Sequence, residues 1–280
     1  MPRLTIRLPD IDIDHMDMPP LWLGGDAFRT HVFNALSMSF PVGEKYFMDA
    51  ARAALPLISD PQQQEELRRF IGQESQHSRL HLIFNSRLQA MGLRNVIGPF
   101  IQYRIRTSEW LSLHSKLAIA MAYEHFTAAL GDGMLAHPGW VDGASPSMRL
   151  LWEWHAVEEC EHRAVLFNAY RTLGGGSARR ISWYFYISLL LALDITIQTL
   201  SNLFLGKVLF RPRTWAEAAR FLLGKGGVAG FVLPAWLAYL RPGFTPDDRG
   251  QPEQAQAWLE ANRDRFQQPR AGRTAPNPAG

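Results

Sequence analysis

The sequence predicts an all-α fold: a bundle of four long helices followed by additional apolar helices. Two observations support this. Alternation typical of a strand is confined to residues 3–13, whereas apolar side chains elsewhere recur three and four positions apart, as on a buried helix face. Between residues 41 and 173, signals that start and end helices divide the chain into segments long enough to form a bundle.

Local start and stop signals bound each predicted helix. Asp26 can cap a helix that ends near Ser39. Pro41 can occupy the first turn of the next helix, where its missing N–H costs nothing, and that helix stops near Pro56. The remaining bundle helices are predicted over 62–91, from Thr107 or Ser108 to Leu130, and over 146–173, each followed by glycine: Gly92, Gly131 and Gly174.

The chain divides into four parts by composition. We predict an extended N-terminal arm over 1–25, a four-helix bundle over 26–176, an apolar helical region over 177–245, and a polar helix with a disordered tail over 246–280. In the apolar region, Asp194 is the only acid between residues 181 and 210, and basic residues flank both apolar segments. We expect this region to pack on the bundle, or alternatively to touch a membrane with its basic flanks near anionic lipid.

Charge and cysteine content restrict the class of protein. The formal net charge of the 280 residues is +3, and the chain lacks the interleaved basic and aromatic runs of nucleic-acid-binding proteins, so no nucleic-acid partner is expected. The single cysteine, Cys160, excludes an internal disulfide and fits a reducing compartment. The N-terminus lacks the pattern of a secretory signal. We therefore predict a cytoplasmic protein, and the apolar region leaves membrane association open.

Seven acidic and imidazole side chains lie on the apolar faces of the four predicted bundle helices. They are Glu44, Glu74, His77, Glu124, His155, Glu159 and His162. Burial of four carboxylates is untenable without compensating positive charge. One glutamate from each of two helices, with Glu-x-x-His from each of the other two, is the ligand set of di-metal carboxylate bundles. The pattern therefore predicts two metal ions on these seven residues, iron first, with manganese or zinc as alternatives.

Four further side chains are candidates to support these ligands: His81, Glu158, Tyr123 and Asp194, of which Asp194 could alternatively line a substrate tunnel. His81 lies four positions after His77, so it could also be an eighth ligand. Glu158 could replace Glu159, because it lies four positions before His162. Glu159 is favoured because it has a histidine both three positions after it and four positions before it. No catalytic side chain is predicted beyond the metal ligands.

Two resemblances follow from these motifs. The spacing of His155, Glu159 and His162 resembles the ferritin-like non-haem di-iron N-oxygenases that oxidise aryl amines, which implies four glutamates and three histidines as ligands. Most of residues 30–250 resembles a bacterial family described as predicted metal-dependent hydrolases. The matching phrases are FPVGEKYF (40–47), FIGQESQHSRLH (70–81), AYEHFTA (122–128), WHAVEECEHRAVLFNAY (154–170) and LRPGFTP (240–246). In the last phrase Thr245 stands where the family resemblance implies histidine.

Three functions are compatible with this sequence. The leading hypothesis is a di-iron oxidoreductase that activates O₂ and oxidises a hydrophobic or amine-bearing small molecule, with an electron donor as a further partner. The first alternative is a metal-dependent hydrolase, in which two metal ions activate a water molecule. The second alternative is a metal-binding bundle without catalysis. The sequence leaves a homodimer open in each case.

Overall fold

The computed structural model describes residues 4–246 and 252–267, and within these ranges it is built from α-helices without a β-strand. The predicted all-α bundle with additional apolar helices is therefore confirmed. The predicted tail at 271–280 lies outside the described residues. The helices are α1 (Ala27–Ala54), α2 (Pro61–Ala90), α3 (Gly98–Thr107), α4 (Leu113–Ala136), α5 (Pro146–His162), α6 (Val165–Thr172), α7 (Ser177–Leu205), α8 (Pro212–Leu223), α9 (Val228–Tyr239) and α10 (Pro252–Ala261).

The bundle consists of α1, α2, α4 and the consecutive pair α5 and α6. Helix α1 packs against α2 and α4, and α4 packs against α5. Its interior contains two large apolar clusters. Phe70 of α2 belongs to one cluster and Phe84, four turns further along the same helix, belongs to the other. Glu74 and His77 lie between these two phenylalanines in the sequence of α2, so polar side chains occupy the zone between the apolar clusters.

The predicted helix boundary at Pro41 is wrong, because α1 runs without interruption from Ala27 to Ala54. Proline has no N–H, so the carbonyl oxygen of Ser37 loses its usual helical donor. The side-chain amide of Asn85 in α2 donates to this oxygen at 2.8 Å. A contact between two helices thus replaces the missing hydrogen bond and allows the helix to continue.

The predicted bounds of the third bundle helix are also wrong. Helix α3 was not predicted, and α4 begins at Leu113, where the Ser112 hydroxyl accepts a hydrogen bond from the Ser115 backbone N–H. Helix α4 also continues past Gly131. A Cβ atom at Gly131 would lie 2.6 Å from the carbonyl oxygen of Ala156, so this glycine permits close packing of α4 on α5. By contrast, α2 lies within one residue of its predicted bounds.

The fourth predicted helix, over 146–173, is divided into α5 and α6. The break follows His162, at Arg163 and Ala164. The guanidinium of Arg163 donates to the carbonyl oxygen of Cys160 at 3.0 Å and pairs with Asp132 of α4 at 2.7 Å. The break therefore coincides with a side chain that ties the end of α5 to α4.

Helices α7, α8 and α9 form a layer on one side of the bundle. Helix α7 packs against α1 and α4, α8 against α1, and α9 against α4. Asp194, Gln198 and Asn202 of α7 are buried, and each contacts another part of the chain. Asp194 pairs with Arg104 of α3, and the Gln198 side chain accepts a hydrogen bond from the Val96 backbone N–H at 2.8 Å. The interruptions that the sequence shows in α7 are thus contacts with the protein.

The N-terminal arm lies along α2 and reaches α5. Leu4 is buried, and the Gln73 side chain of α2 donates to the carbonyl oxygen of Thr5 at 3.1 Å. Pro9 forms an isolated antiparallel bridge with Phe266, which follows α10. These contacts place Arg7 next to α5, at the rear of the polar zone in the bundle.

Candidate metal centre

The structure brings together all seven side chains that the sequence predicted as metal ligands. They come from four helices: Glu44 from α1, Glu74 and His77 from α2, Glu124 from α4, and His155, Glu159 and His162 from α5. None is more than 3% exposed. Their burial follows from the helical spacing, because residues three and four positions apart share the face that each helix turns to the bundle interior.

His162 is the centre of one half of this cluster. Its Nδ1 atom lies 2.7 Å from Oε1 of Glu74, 3.7 Å from Oε2 of Glu124 and 3.8 Å from Oε1 of Glu159. One ligand atom from each of Glu74, His77, Glu159 and His162 lies within 4.8 Å of the others, close enough to hold one metal ion.

His77 and His155 form the other half. Nδ1 of His77 lies 3.5 Å from Oε1 of Glu159, and Nε2 of His155 lies 3.1 Å from the same oxygen. Glu44, His77 and His155 form a second group whose ligand atoms lie within 4.8 Å of one another. His77 belongs to both groups, so the two candidate metal positions are adjacent.

Eight of the atoms that converge in this cluster have no hydrogen-bond partner among the described residues. They are Oε1 of Glu44, both carboxylate oxygens of Glu74 and of Glu124, Nδ1 of His77, Nε2 of His155 and Nδ1 of His162. A buried polar atom without a partner is costly, and so many in one place are not expected in a stable protein. Lone pairs of carboxylates and neutral imidazoles that converge in this way fit metal ions as the common partner.

The opposite nitrogen of each histidine ring is held by a neighbouring side chain. Nε2 of His77 lies 3.0 Å from a carboxylate oxygen of Glu158, and Nε2 of His162 lies 3.1 Å from the amide oxygen of Gln73. An acceptor on one nitrogen fixes the proton there, so the other nitrogen presents its lone pair. Glu158 therefore supports His77 from behind, and Glu159 is the carboxylate that faces the cluster.

His155 is oriented by a chain of three side chains. The Ser37 hydroxyl donates to the amide oxygen of Asn85 at 2.7 Å, so Ser37 can accept from Nδ1 of His81 at 2.8 Å. His81 then presents Nε2 as the acceptor for Nδ1–H of His155, 2.8 Å away. This assignment leaves the lone pair of Nε2 of His155 directed at Glu44 and Glu159. His81 thus lies behind His155 rather than among the converging atoms.

A second ion-pair cluster lies behind His77 and His162. The Arg7 guanidinium lies 3.1 Å from Glu158 and 2.8 Å from Glu161. The side-chain amide of Gln73, which contacts His162, also donates to Glu161 at 3.1 Å. Arg7 therefore supplies positive charge to Glu158, which holds His77, and to Glu161, which holds Gln73 against His162.

The carboxyl groups differ in their electrostatic environment. Burial, reinforced by the neighbouring carboxylates, raises the pKa of three of them well above its usual range: Glu44, Glu74 and Glu124. Burial also opposes ionisation of Glu159, but contacts with His155 and His77 outweigh it and hold the pKa of Glu159 well below its usual range. Full ionisation of all four carboxyl groups therefore requires additional positive charge in the cluster.

The histidines differ in the same way. Burial lowers the pKa of His155 and of His162 to about 4, so both rings are neutral near pH 7, in the form that binds metals. Burial has the same tendency at His77, but contacts with Glu158 and Glu159 outweigh it and raise the pKa of His77 well above its usual value.

A cavity of about 1350 Å³ extends from this cluster to the outer helices. Glu44 and Glu159 lie on its wall, together with mainly apolar side chains of α1, α4, α7, α8 and α9. Tyr123 and Asp194, two of the predicted supporting residues, also lie on this wall. Asp194 pairs there with Arg104, so it lines the cavity instead of orienting a histidine.

Sequence reasoning missed several residues that position the cluster. Gln73, which is buried in the structure, directly precedes Glu74. Its position next to a predicted ligand was a signal that the sequence offered. Ser37 and Arg7 gave no comparable signal, because their partners lie 44 and 151 or more positions away in the chain.

Comparison with known proteins identifies the family. Residues 5–250 match the family described as "Predicted metal-dependent hydrolase". The chain belongs to this family. The match covers the whole bundle and the outer helices, including the cluster and its cavity. Comparisons with curated proteins and with solved structures found no match.

The family match corrects the leading functional hypothesis. The prediction of an O₂-activating oxidoreductase is wrong, because the family is one of predicted metal-dependent hydrolases, which was the alternative. The resemblance to ferritin-like di-iron oxygenases is not confirmed. The error has a chemical cause, since carboxylates and imidazoles around two cations serve hydrolysis as well as oxidation. Metal dependence and a buried His/Glu cluster able to hold a metal are both supported.

Proposed function

We propose that this protein is a metal-dependent hydrolase in which the seven clustered side chains hold two divalent cations. The convergence of buried carboxylate and imidazole atoms without hydrogen-bond partners carries this proposal. With cations bound, all four glutamates would be ionised and all three histidines neutral, a total charge of about −4, which two divalent cations balance. The mixed oxygen and nitrogen ligands suit iron, manganese or zinc.

Cations bound at such a site lower the pKa of a water molecule and polarise the bond to be hydrolysed. Side chains of the cavity wall would have to hold the ligands in place and bind the substrate. Glu44 and Glu159 face the cavity, and each is held by a hydroxyl group, Ser78 donating to Glu44 at 2.8 Å and Thr127 donating to Glu159. These hydroxyls fix the carboxylates and leave their other oxygens directed into the cluster.

Two tyrosines on the cavity wall can donate hydrogen bonds to a substrate. Burial raises the pKa of Tyr46 and of Tyr123, so both phenols remain protonated in the physiological range. The Tyr46 hydroxyl is buried and has no partner among the described residues, although its side chain lines the cavity two positions from Glu44. We therefore assign Tyr46 a role in binding an oxygen of the substrate near the metal site.

The cavity indicates a hydrophobic substrate. Its volume of about 1350 Å³ exceeds the roughly 300–1,000 Å³ typical of small-molecule sites, and its wall is mainly apolar. A small polar ester or phosphate would leave most of this wall exposed to water. A carboxylic or related ester with a long apolar chain would cover it and place its polar end at Glu44 and Glu159.

The test combines metal analysis with hydrolysis assays. Purified protein is depleted with a chelator, reloaded separately with Zn²⁺, Mn²⁺ or anaerobic Fe²⁺, and assayed on p-nitrophenyl esters of increasing acyl length. We expect two cations per chain, activity with at least one of them, and kcat/KM that rises with chain length. The variants Glu124→Gln and His162→Gln should hold fewer cations and lose activity, because each removes a ligand atom.

Glu109→Gln is the matched control, since Glu109 is exposed and lies outside the cluster. It should retain wild-type metal content and rates. Unchanged metal content in both Glu124→Gln and His162→Gln would refute the ligand assignment. Absence of hydrolysis with every cation across the ester panel would refute the proposed reaction on this substrate class.

A further inference from the structure

The C-terminal half of helix α7 has the reverse of the usual distribution of polar and apolar residues. Its buried face carries Asp194, Gln198 and Asn202, which contact Arg104 of α3, the Val96 backbone and the His31 carbonyl oxygen of α1, respectively. Its exposed face is apolar along almost the whole helix: Phe185, Tyr186, Leu189, Leu193, Ile197, Leu200 and Phe204, which are 38–62% exposed. A helix on the surface of a protein that meets only water normally shows the opposite pattern. This exposed stripe is therefore built to meet an apolar partner.

The stripe continues around the mouth of the large cavity. Five large aromatic or aliphatic side chains both line that cavity and are at least 38% exposed: Trp110, Tyr186, Leu200, Trp215 and Leu223. They come from α7, α8 and the turn after α3. We define the apolar face as these five residues together with the exposed stripe of α7. The cavity that contains Glu44 and Glu159 on its wall therefore opens within the apolar face.

Between residues 177 and 246 the exposed charges have one sign, whereas Glu109, next to Trp110, is an exposed acid at the edge of this face. Both acids between residues 177 and 246 are buried, Asp194 paired with Arg104 and Glu217 paired with Arg213. The exposed charged residues in the same range are all basic: Arg179, Lys207, Arg211, Arg213, Arg220, Lys225 and Arg241. An apolar stripe bordered by cations, with tryptophan and tyrosine at its edge, is complementary to a bilayer that contains anionic lipid.

We propose that the apolar face docks on an anionic membrane surface, and that substrate enters the cavity directly from the lipid. The entry of substrate rests on the proposed hydrolase function; the docking does not. Helix α7 is long and apolar enough to cross a bilayer by length and composition. Its polar side is fixed to α3 and α1 by Arg104 and by the His31 carbonyl oxygen, so α7 lies in the plane of the interface.

A second copy of the chain is the other candidate for an apolar partner. Two copies joined through this face would cover the mouth of the cavity and bring their basic residues towards each other. Lys207 and Arg211, next to the end of α7, would be among these residues. A bilayer would neither block the cavity nor place like charges together, because lipid chains can enter the cavity and anionic headgroups can pair with the basic side chains.

Vesicle sedimentation tests the docking without any turnover. The full chain, loaded with metal, is mixed with phosphatidylcholine vesicles that contain either no anionic lipid or about one-third phosphatidylglycerol. We expect sedimentation with the anionic vesicles and weaker binding as salt increases. The triple variant Leu189→Gln, Leu193→Gln, Ile197→Gln should lower the partition coefficient by about a hundredfold or more, because three apolar side chains no longer enter the lipid. None of the three lines the cavity.

The matched control is Leu57→Gln, Leu82→Gln, Met91→Gln, which replaces exposed apolar residues outside the apolar face. It should bind vesicles as the wild type does. Circular dichroism and metal content establish that all variants fold. Wild-type protein that stays in the supernatant with both kinds of vesicle would overturn the proposal. So would a dimer in sedimentation velocity that the α7 triple variant dissociates. Hydrolysis can fail while docking holds, so the two proposals are separable.

Discussion

Arg7 offers the sharpest test of how the arm supports the metal centre. Its guanidinium lies 3.1 Å from Glu158, and the Glu158 carboxylate is fully buried and holds His77 at 3.0 Å. Removal of one partner from a buried ion pair costs about 3–5 kcal/mol. Since the Arg7 side chain is 16% exposed and Glu161 is 13% exposed, water can replace part of the interaction, and we expect a loss of about 2–4 kcal/mol for Arg7→Met.

The same substitution should weaken metal binding. Loss of a side chain that orients a ligand typically lowers metal affinity by about 10–100-fold. Urea unfolding of metal-depleted protein measures the stability, and competition with a chelator of known affinity measures metal binding. Arg52→Met is the control, because Arg52 is 53% exposed and pairs with Asp49 on the surface. Should Arg7→Met match Arg52→Met in both measurements, the arm has no role in orienting the histidines.

Three further predictions concern stability. Burial lowers the pKa of His31 from 6.5 to about 4, so between these pH values the unfolded chain binds more protons than the folded protein. When the pH falls from 7 to 5, the free energy of unfolding of the wild type, measured in urea, should therefore decrease by about 2 kcal/mol more than that of His31→Leu. Asn85→Leu should lower the free energy of unfolding by about 1–3 kcal/mol, measured in urea, and similar stability of variant and wild type would contradict our account of α1. Gly131→Val should cost about 1–3 kcal/mol by thermal unfolding, whereas Gly176→Ala, with open space around it, should have little effect.

The sequence predicted the helices well where their boundaries depend on local signals. Asp60 and Pro61 begin α2 and a glycine with positive φ follows its end, so both ends could be read from neighbouring residues. The continuation of α1 through Pro41 could not be predicted, because it depends on Asn85 of another helix. Gly131 was predicted to end its helix but lies inside α4, because its position is determined by packing on α5, which local signals do not show.

The residues of the candidate site also differ in whether local sequence signals could reveal them. The seven clustered residues were found because acidic and imidazole side chains on apolar helix faces are costly, and their spacing can be read within each helix. The groups that orient them act across the fold. His81 was recognised as a candidate because it lies one turn after His77, whereas its partner Ser37 belongs to α1. The reaction was misjudged because the same ligand types serve both oxidation and hydrolysis.

The ion pair between Arg7 and Glu161 has a consequence for biosynthesis, because its partners are 154 positions apart in the chain. At a translation rate of about 5–20 residues per second, Arg7 is synthesised roughly 8–30 s before Glu161. During that interval α1 and α2 can form, but His77 lacks Glu158, and the three ligands of α5 have not all been made. Tight capture of metal therefore has to wait until α5 has been synthesised, when the full set of ligands and the contacts that orient them are present.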